Sequence, residues 1–285
     1  MNTPQTPPAT AIRPGLCQAN GTTLYYELRG DGPPLLLIAG ASGDAGAFDA
    51  VADALACDFT VVAYDRRGRS RSPRPPGWTR TSLDEQADDA AALLRALDLA
   101  PAHVFGTSSG ATIGLNLVLR HPGVVRSAVL HEPPKIGVLP DRDRFLAALR
   151  TRMDAARAAG GHRAAMADFL GWLTGPAQAD QADADPRAQA ARERVLDRAD
   201  VWLDLELGVV DRYDALDGTA RMPVTIAVGS EGATALHQER LDDYRVALQA
   251  LAVRAGARLC PMAGAHVPYR SDPQRFVREL RALLT

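Results

Sequence analysis

Between positions 102 and 121 the chain reads AHVFGTSSGATIGLNLVLRH, a stretch that predicts a short strand, a sharp turn and a helix. The strand is His103 to Phe105, the turn is Gly106-Thr107-Ser108-Ser109-Gly110, and the helix carries Ile113, Leu115, Leu117 and Leu119. The turn is G-x-S-x-G in the strand-turn-helix setting that this pattern requires. A serine held in a cramped backbone projects its hydroxyl, so the residues two before and two after must be small, and Gly106 and Gly110 meet that need. The turn also sets Ser108 at a helix N-terminus, where unpaired amides favour a developing negative charge. A Gly/Ser/Thr cluster is also what an ordinary loop looks like, so the reading depends on what the rest of the chain supplies.

The surrounding chain alternates. Leu16 to Arg29 predicts two strands about an Asn20-Gly21 hairpin turn. Leu35 to Ala39 and Phe59 to Tyr64 are unbroken apolar runs, as in strands buried on both faces of a parallel sheet. Between them a glycine-rich loop leads into a short helix from about Phe48 to Ala56. Thr81 to Leu99 predicts an amphipathic helix with Ser82 as N-cap and Glu85 as its capping-box partner. Strands follow at Val124 to Leu130, Met222 to Val228 and Arg258 to Met262, with late helices from about Thr234 to Ala252 and Asp272 to Leu284. This order predicts an α/β fold with a mostly parallel sheet and helices on both faces. In such sheets ligands bind beyond the carboxyl ends of the strands.

Two segments break the alternation. Asp65 to Pro73, with Arg66, Arg67, Arg69 and Arg71, is too polar and broken for a strand or helix and predicts an exposed loop. Its arginines offer either an anion site or ordinary surface ion pairs. After Glu132 the strands stop, and helices are predicted at Arg144 to Ala159, His162 to Leu173, Arg187 to Ala199 and Val201 to Tyr213. These helices define a cap, or lid, over 135–217, inserted into a core of 15–134 and 218–285, with 1–14 as a flexible tail. Trp172 and Trp202 either face a substrate beneath the cap or pack the cap's own helices.

Composition narrows the partners. A formal net charge of -2 gives no electrostatic basis for binding nucleic acid or an anionic membrane. No apolar run approaches the roughly 18 residues that span a bilayer, and MNTPQTPPATAIRPG lacks the apolar core of a secretory signal. Cys17, Cys57 and Cys260 are far apart, without metal-ligand spacing, and fit a reducing compartment. The expectation is a cytoplasmic protein acting on a small molecule, with no metal or organic cofactor.

A serine hydroxyl needs an adjacent base, usually a histidine oriented by a carboxylate. Of six histidines only His266 sits in a small-residue loop just after the last strand, where the chain order serine, acid, histidine places the base.

Four stretches in order, AYDRRGRSRSP, HVFGTSSGA, VVRSAVLHEPP and GAHVPYRSDP, resemble signature segments of the α/β-hydrolase superfamily, specifically its capped esterase-like and lactonase-like members. The similarity runs from about residue 16 to 285. It implies an α/β-hydrolase fold with an eight-stranded, mostly parallel sheet and the cap inserted after the sixth strand. It also implies an oxyanion hole made by the backbone N–H groups of Ala41 and Ser109. Many members carry His-Gly after the third strand, whereas this chain has Ala39-Gly40. The commoner site for the acid, three positions after the glycine ending the seventh strand, holds Gly232. Some relatives, including certain dehalogenases and zearalenone-type lactonases, place it at the end of the sixth strand, which here is Glu132; Glu231 is the other candidate. The activity implied is hydrolysis of a carboxylic ester or lactone by Ser108, His266 and Glu132 through an acyl-enzyme. C–C bond hydrolysis or acyl transfer on the same triad stays open, as does a non-catalytic ligand-binding member. The resemblance further favours a structural role for the arginine-rich turn.

Overall fold

A computed structural model describes residues 11–41, 43–134, 141–174, 185–210, 218–231 and 241–284. Eight strands form one sheet in the order β1-β2-β4-β3-β5-β6-β7-β8. They are β1 Arg13–Ala19, β2 Thr22–Arg29, β3 Pro34–Ile38, β4 Thr60–Tyr64, β5 Ala102–Thr107, β6 Val125–His131, β7 Val224–Gly229 and β8 Arg258–Met262. The β1–β2 and β2–β4 pairs are antiparallel and all others parallel. The expected hairpin turn is present: Asn20 and Gly21 have φ of 49° and 71°, as a two-residue turn matching strand twist demands. Arg13 and Pro14, expected in the tail, already pair with Leu28 and Glu27.

The central strands are apolar throughout because both faces are covered. Leu36, Ile38 and Val104 belong to one core cluster, which includes residues of α2 (Leu83–Ala96), α3 (Ser109–Arg120) and a late helix, Leu241–Ala255. Leu35, Leu37 and Phe105 belong to the other, with α1 (Asp49–Leu55) and the C-terminal helix Pro273–Leu284. At its start α2 shows half of the expected capping box. Ser82 Oγ accepts from Glu85 N–H at 3.1 Å. The Glu85 carboxylate instead accepts from Trp78 Nε1 and Thr81 Oγ1, each at 3.0 Å.

Between β6 and β7 lie helices only, among the described residues. α4 (Arg142–Thr174) is two helices broken at Gly160-Gly161, where Gly161 takes φ 72°. α5 (Pro186–Asp197) follows, then a π-helical turn, Val201–Glu206, running into α6 (Leu207–Val210). Sequence periodicity predicted a regular helix from Val201; the wider turn is a departure, and 211–217 lie outside the described residues. The later helices are α7 (Leu241–Ala255), α8 (Pro268–Ser271) and α9 (Pro273–Leu284). The expected start of α7 near Thr234 also lies outside the described residues.

The strand order turns at β3: the chain leaving it crosses to β4 on one side, while the chain leaving β5 crosses to β6 on the other. Diverging connections open a crevice at the carboxyl ends of the strands there. The loop after β3 and the turn after β5 run close together there.

Candidate active site

Ser108 follows β5 and caps α3 with φ 53° and ψ -127°. This conformation is strained for a residue with a side chain and persists only where the surroundings enforce it. They do so by close approach. A Cβ on Gly106 would lie 2.5 Å from Gly110 O, and one on Gly110 would lie 2.2 Å from Ile38 O. Only hydrogen fits at either place, which is the reason for both glycines of the motif. Ser108 N–H donates to His131 O at 2.8 Å, tying the turn to the end of β6.

Glu132 follows at once, also with a left-handed backbone, φ 50°. Its N–H donates to Ala227 O at 2.9 Å, and its Oε1 accepts from Gly229 N–H at 2.9 Å. Its Oε2 lies 2.6 Å from His266 Nδ1. Both side chains are buried, Glu132 at 1% exposure and His266 at 6%. His266 stands in the loop between β8 and α8, as its small-residue setting predicted. Glu231, the alternative acid, keeps its side chain exposed, and its N–H donates to Gly264 O at 3.1 Å. The carboxylate that meets the histidine is therefore that of Glu132. Among the described residues no hydrogen bond joins Ser108 Oγ to His266. The two are linked through His131 and Glu132, one bonded to Ser108 and the other to His266.

Ser109 N–H is the first amide of α3 and has no acceptor within the helix. Ala41 lies just beyond β3, in a loop that passes against the serine: a Cβ on Gly40 would sit 2.9 Å from Ser108 Cβ and 3.6 Å from its Oγ. Ser108, Ser109, Ala41, Glu132 and His266 thus all lie just past the carboxyl ends of strands of the sheet. Trp172 and Trp202 lie in the cap. Trp172 packs near Phe145 and Phe169, with ring centroids 6.2 and 6.0 Å away, and Trp202 lies 5.6 Å from Phe169. These are contacts within the cap. The buried Trp202 Nε1–H has no acceptor among the described residues.

The arginine-rich segment corrects an expectation. Predicted as an exposed loop, it is buried: Asp65 is 0% exposed, Arg69 1%, Arg66 4% and Arg67 6%. Charges tolerate burial when each finds a partner, and these partners come both from within the segment and from other parts of the chain. Arg67 grips Asp89 through Nε and Nη2 at 2.9 and 2.6 Å, and Arg71 grips Asp65 through Nε and Nη2 at 2.8 and 2.9 Å. Arg66 Nη1 meets Gln86 Oε1 at 2.5 Å and Glu206 Oε1 at 2.9 Å. Arg69 Nη2 donates to Ala41 O at 2.6 Å. Burial pushes the Arg69 pKa down to about 10, against the opposing pull of Glu206. The segment is a brace between sheet, cap and the loop after β3, not an anion site on the surface. Glu206 and its cap neighbour Arg194, which pairs with buried Asp44 at 2.7 Å, carried no recognisable signal in the sequence.

Among the described residues, no group of three or more His, Cys, Asp and Glu side chains is arranged to hold a metal, and no helix is long and apolar enough to cross a membrane.

Fold and site together define a member of a single large family. The chain belongs to the α/β hydrolase fold family, whose model matches residues 33–190, more than half of its length. Over 122 residues it is 46% identical to the uncharacterized hydrolase YraK of Bacillus subtilis, covering 43% of this chain and 45% of that protein. Over 118 residues it is 38% identical to the zearalenone hydrolase of Bionectria ochroleuca, covering 40% and 45%. The matched stretch is thus less than half the length of either relative. The crystal structure of a hydrolase from Pseudomonas aeruginosa PA01 is similar over 95% of this chain and 98% of that one, with a TM-score of 0.69 and 25% identity. The expected fold, sheet and family are borne out.

Proposed function

We propose that this chain is a serine-dependent hydrolase cleaving a carboxylic ester or lactone through an acyl-enzyme. The observation that carries the reading is the 2.6 Å bond between Glu132 and His266 Nδ1, beside a serine in the strained turn of a nucleophile. A proton held on Nδ1 by a carboxylate leaves Nε2 as the basic nitrogen.

In this reading Ser108 Oγ attacks the carbonyl carbon while His266 Nε2 takes its proton. The oxygen that becomes negative is held by Ala41 N–H and Ser109 N–H; one such donor contributes about 3 kcal/mol to transition-state stabilisation. The C–O bond to the alkoxide then breaks as His266 returns the proton to it. In an ester the alcohol leaves; in a lactone it remains tethered. His266 then takes a proton from water as the water oxygen attacks the acyl carbon, and the bond to Ser108 Oγ breaks as His266 returns that proton to Oγ, releasing the acid. Glu132 stabilises the imidazolium in both steps. Trp172 and Trp202 are assigned to the cap side of the substrate cleft, the indole N–H of Trp202 serving as a donor. The zearalenone hydrolase among the relatives, named for hydrolysis, supports the general class.

The test is a fluorophosphonate probe on wild type and Ser108→Ala. Labelling of wild type alone is expected, and equal labelling of both overturns the nucleophile assignment. A hydrolysis screen of short-chain esters, macrolactones and β-diketones then separates ester, lactone and C–C bond cleavage.

A further inference from the structure

The loop after β3 is gripped from two sides. From the core, Arg66 Nη2 donates to Gly40 O at 3.3 Å and Arg69 Nη2 donates to Ala41 O at 2.6 Å. From the cap, Glu206 at the end of the π-helical turn sets both carboxylate oxygens 2.9 Å from Arg66 Nη1, and one of them 3.9 Å from Arg69 Nη1. Three residues past Ala41, Asp44 is held by Arg194 of α5, whose Nε lies 2.7 Å away. A cap anion and a cap cation thus close on the same short loop.

We propose that Glu206 is a positioning residue that couples the seating of the cap to the aim of the Ala41 N–H, with Arg194 as a second clasp. The inference rests on the hydrolase reading above. Gly40 C=O and Ala41 N–H belong to one planar trans peptide, in which they point in opposite directions. A donor fixed on Gly40 O therefore fixes where Ala41 N–H points. Arg66 is the side-chain donor there, beside the backbone N–H of Gly43 at 3.4 Å, and Glu206 holds Arg66 through a hydrogen bond to Oε1 with the charge of Oε2 also 2.9 Å away. The chain of contacts runs from a residue of the cap, 140 positions away from Arg66, to the amide assigned to the oxyanion. Without Glu206 the two guanidiniums, both nearly fully buried, repel each other at close range and the loop loses its fixed orientation. A small misplacement of such a donor is expensive in rate, since about 1 Å can lower it a hundredfold.

The experiment uses the full chain with p-nitrophenyl acetate, and rates are expressed per serine titrated by fluorophosphonate. Glu206→Gln keeps the shape and removes the charge. Its kcat per titrated serine is expected to fall tenfold or more with KM changed less than threefold, because the donor acts on the transition state. Arg194→Gln should fall in the same direction by less. Arg152→Gln, which breaks an ion pair with Asp168 inside the cap, should match wild type. A purely structural role would lower the number of titratable serines and leave the rate per serine unchanged. If Glu206→Gln does not fold, Arg194→Gln, whose side chain is partly exposed, carries the test by the same measure. Rates per serine within twofold of wild type for the folded variants would overturn the inference. A wild type inert to the probe would instead sink the hydrolase reading on which it stands.

Discussion

Ser108 and Glu132 directly follow two neighbouring parallel strands, β5 and β6, and each holds a left-handed backbone, with φ of 53° and 50°. They brace one another: Ser108 N–H donates to the carbonyl of His131, the residue that leads into Glu132. Sparsely populated backbone states of this kind cost about 1–3 kcal/mol each and persist where the surrounding contacts over-determine them. Here the strain aims a hydroxyl at one strand end and a carboxylate at the next.

That strain has a measurable consequence at Ser108. Glycine adopts such a backbone freely, though it is more flexible when unfolded by about 0.4–1 kcal/mol. Relief of the strain outweighs this loss. Ser108→Gly should be more stable than Ser108→Ala by about 1 kcal/mol, with both variants inactive. Urea unfolding of the pair checks it, and Ser108→Ala proving the more stable would contradict it.

The partner of His266 sets the second prediction. Glu132→Gln keeps the volume and removes the charge that stabilises an imidazolium, and it presents Nδ1 with the wrong hydrogen-bonding group. We expect kcat to fall by about a thousandfold or more. Glu231→Gln, altering an exposed side chain, should stay within about twofold. Steady-state kinetics on any ester the enzyme turns over decides between them, and the reverse ranking would move the acid.

What the sequence made legible was local. The turn at Ser108, the hairpin at Asn20-Gly21 and the break at Gly160-Gly161 each follow from a backbone demand met by neighbours in the chain. His266 could be placed by its loop and its position after the last strand. Glu132 emerged only through resemblance, because nothing near it in sequence says that it faces a histidine 134 residues on. The arginine segment was read wrongly as exposed because charge density is a local property, whereas burial is decided by distant partners. Asp89 and Glu206 neutralise Arg67 and Arg66 only once the fold is made. The π-helical turn at Val201 is invisible for the same reason, since its residues carry an ordinary helical pattern.

His103 gives the chain a mild acid sensitivity. Burial, helped by the charge of Arg126, lowers its pKa below the usual 6.5, and its Nδ1 lies 2.8 Å from Ser127 Oγ. A depressed pKa means that the folded state binds the proton less readily than the unfolded one. The stability from this group is therefore complete above pH 6.5 and is lost as the pH falls through that value toward the folded pKa. His103→Gln should show a flatter dependence of unfolding free energy on pH between about 7.5 and 5.5 than wild type. Identical slopes in urea titrations across that range would refute it.

Gly229 tests the acid without touching any charge. Its N–H donates to Glu132 Oε1 at 2.9 Å, and an added Cβ would lie 2.8 Å from that same oxygen and 2.8 Å from Gly264 O. Gly229→Ala keeps the donor, the carboxylate and the histidine, yet a methyl group cannot stand so close to either atom. The carboxylate must turn, or the loop carrying His266 must move, and in both cases the bond at Nδ1 lengthens. We expect kcat to fall by about a hundredfold with the protein still folded. Gly171→Ala provides the contrast: it lies within α4 and an added Cβ would meet nothing within 4 Å. Replacing that helical glycine should raise stability by about 0.8–1 kcal/mol and leave kcat unchanged. Full activity in Gly229→Ala would mean that the contact between Glu132 and His266 does not govern the reaction.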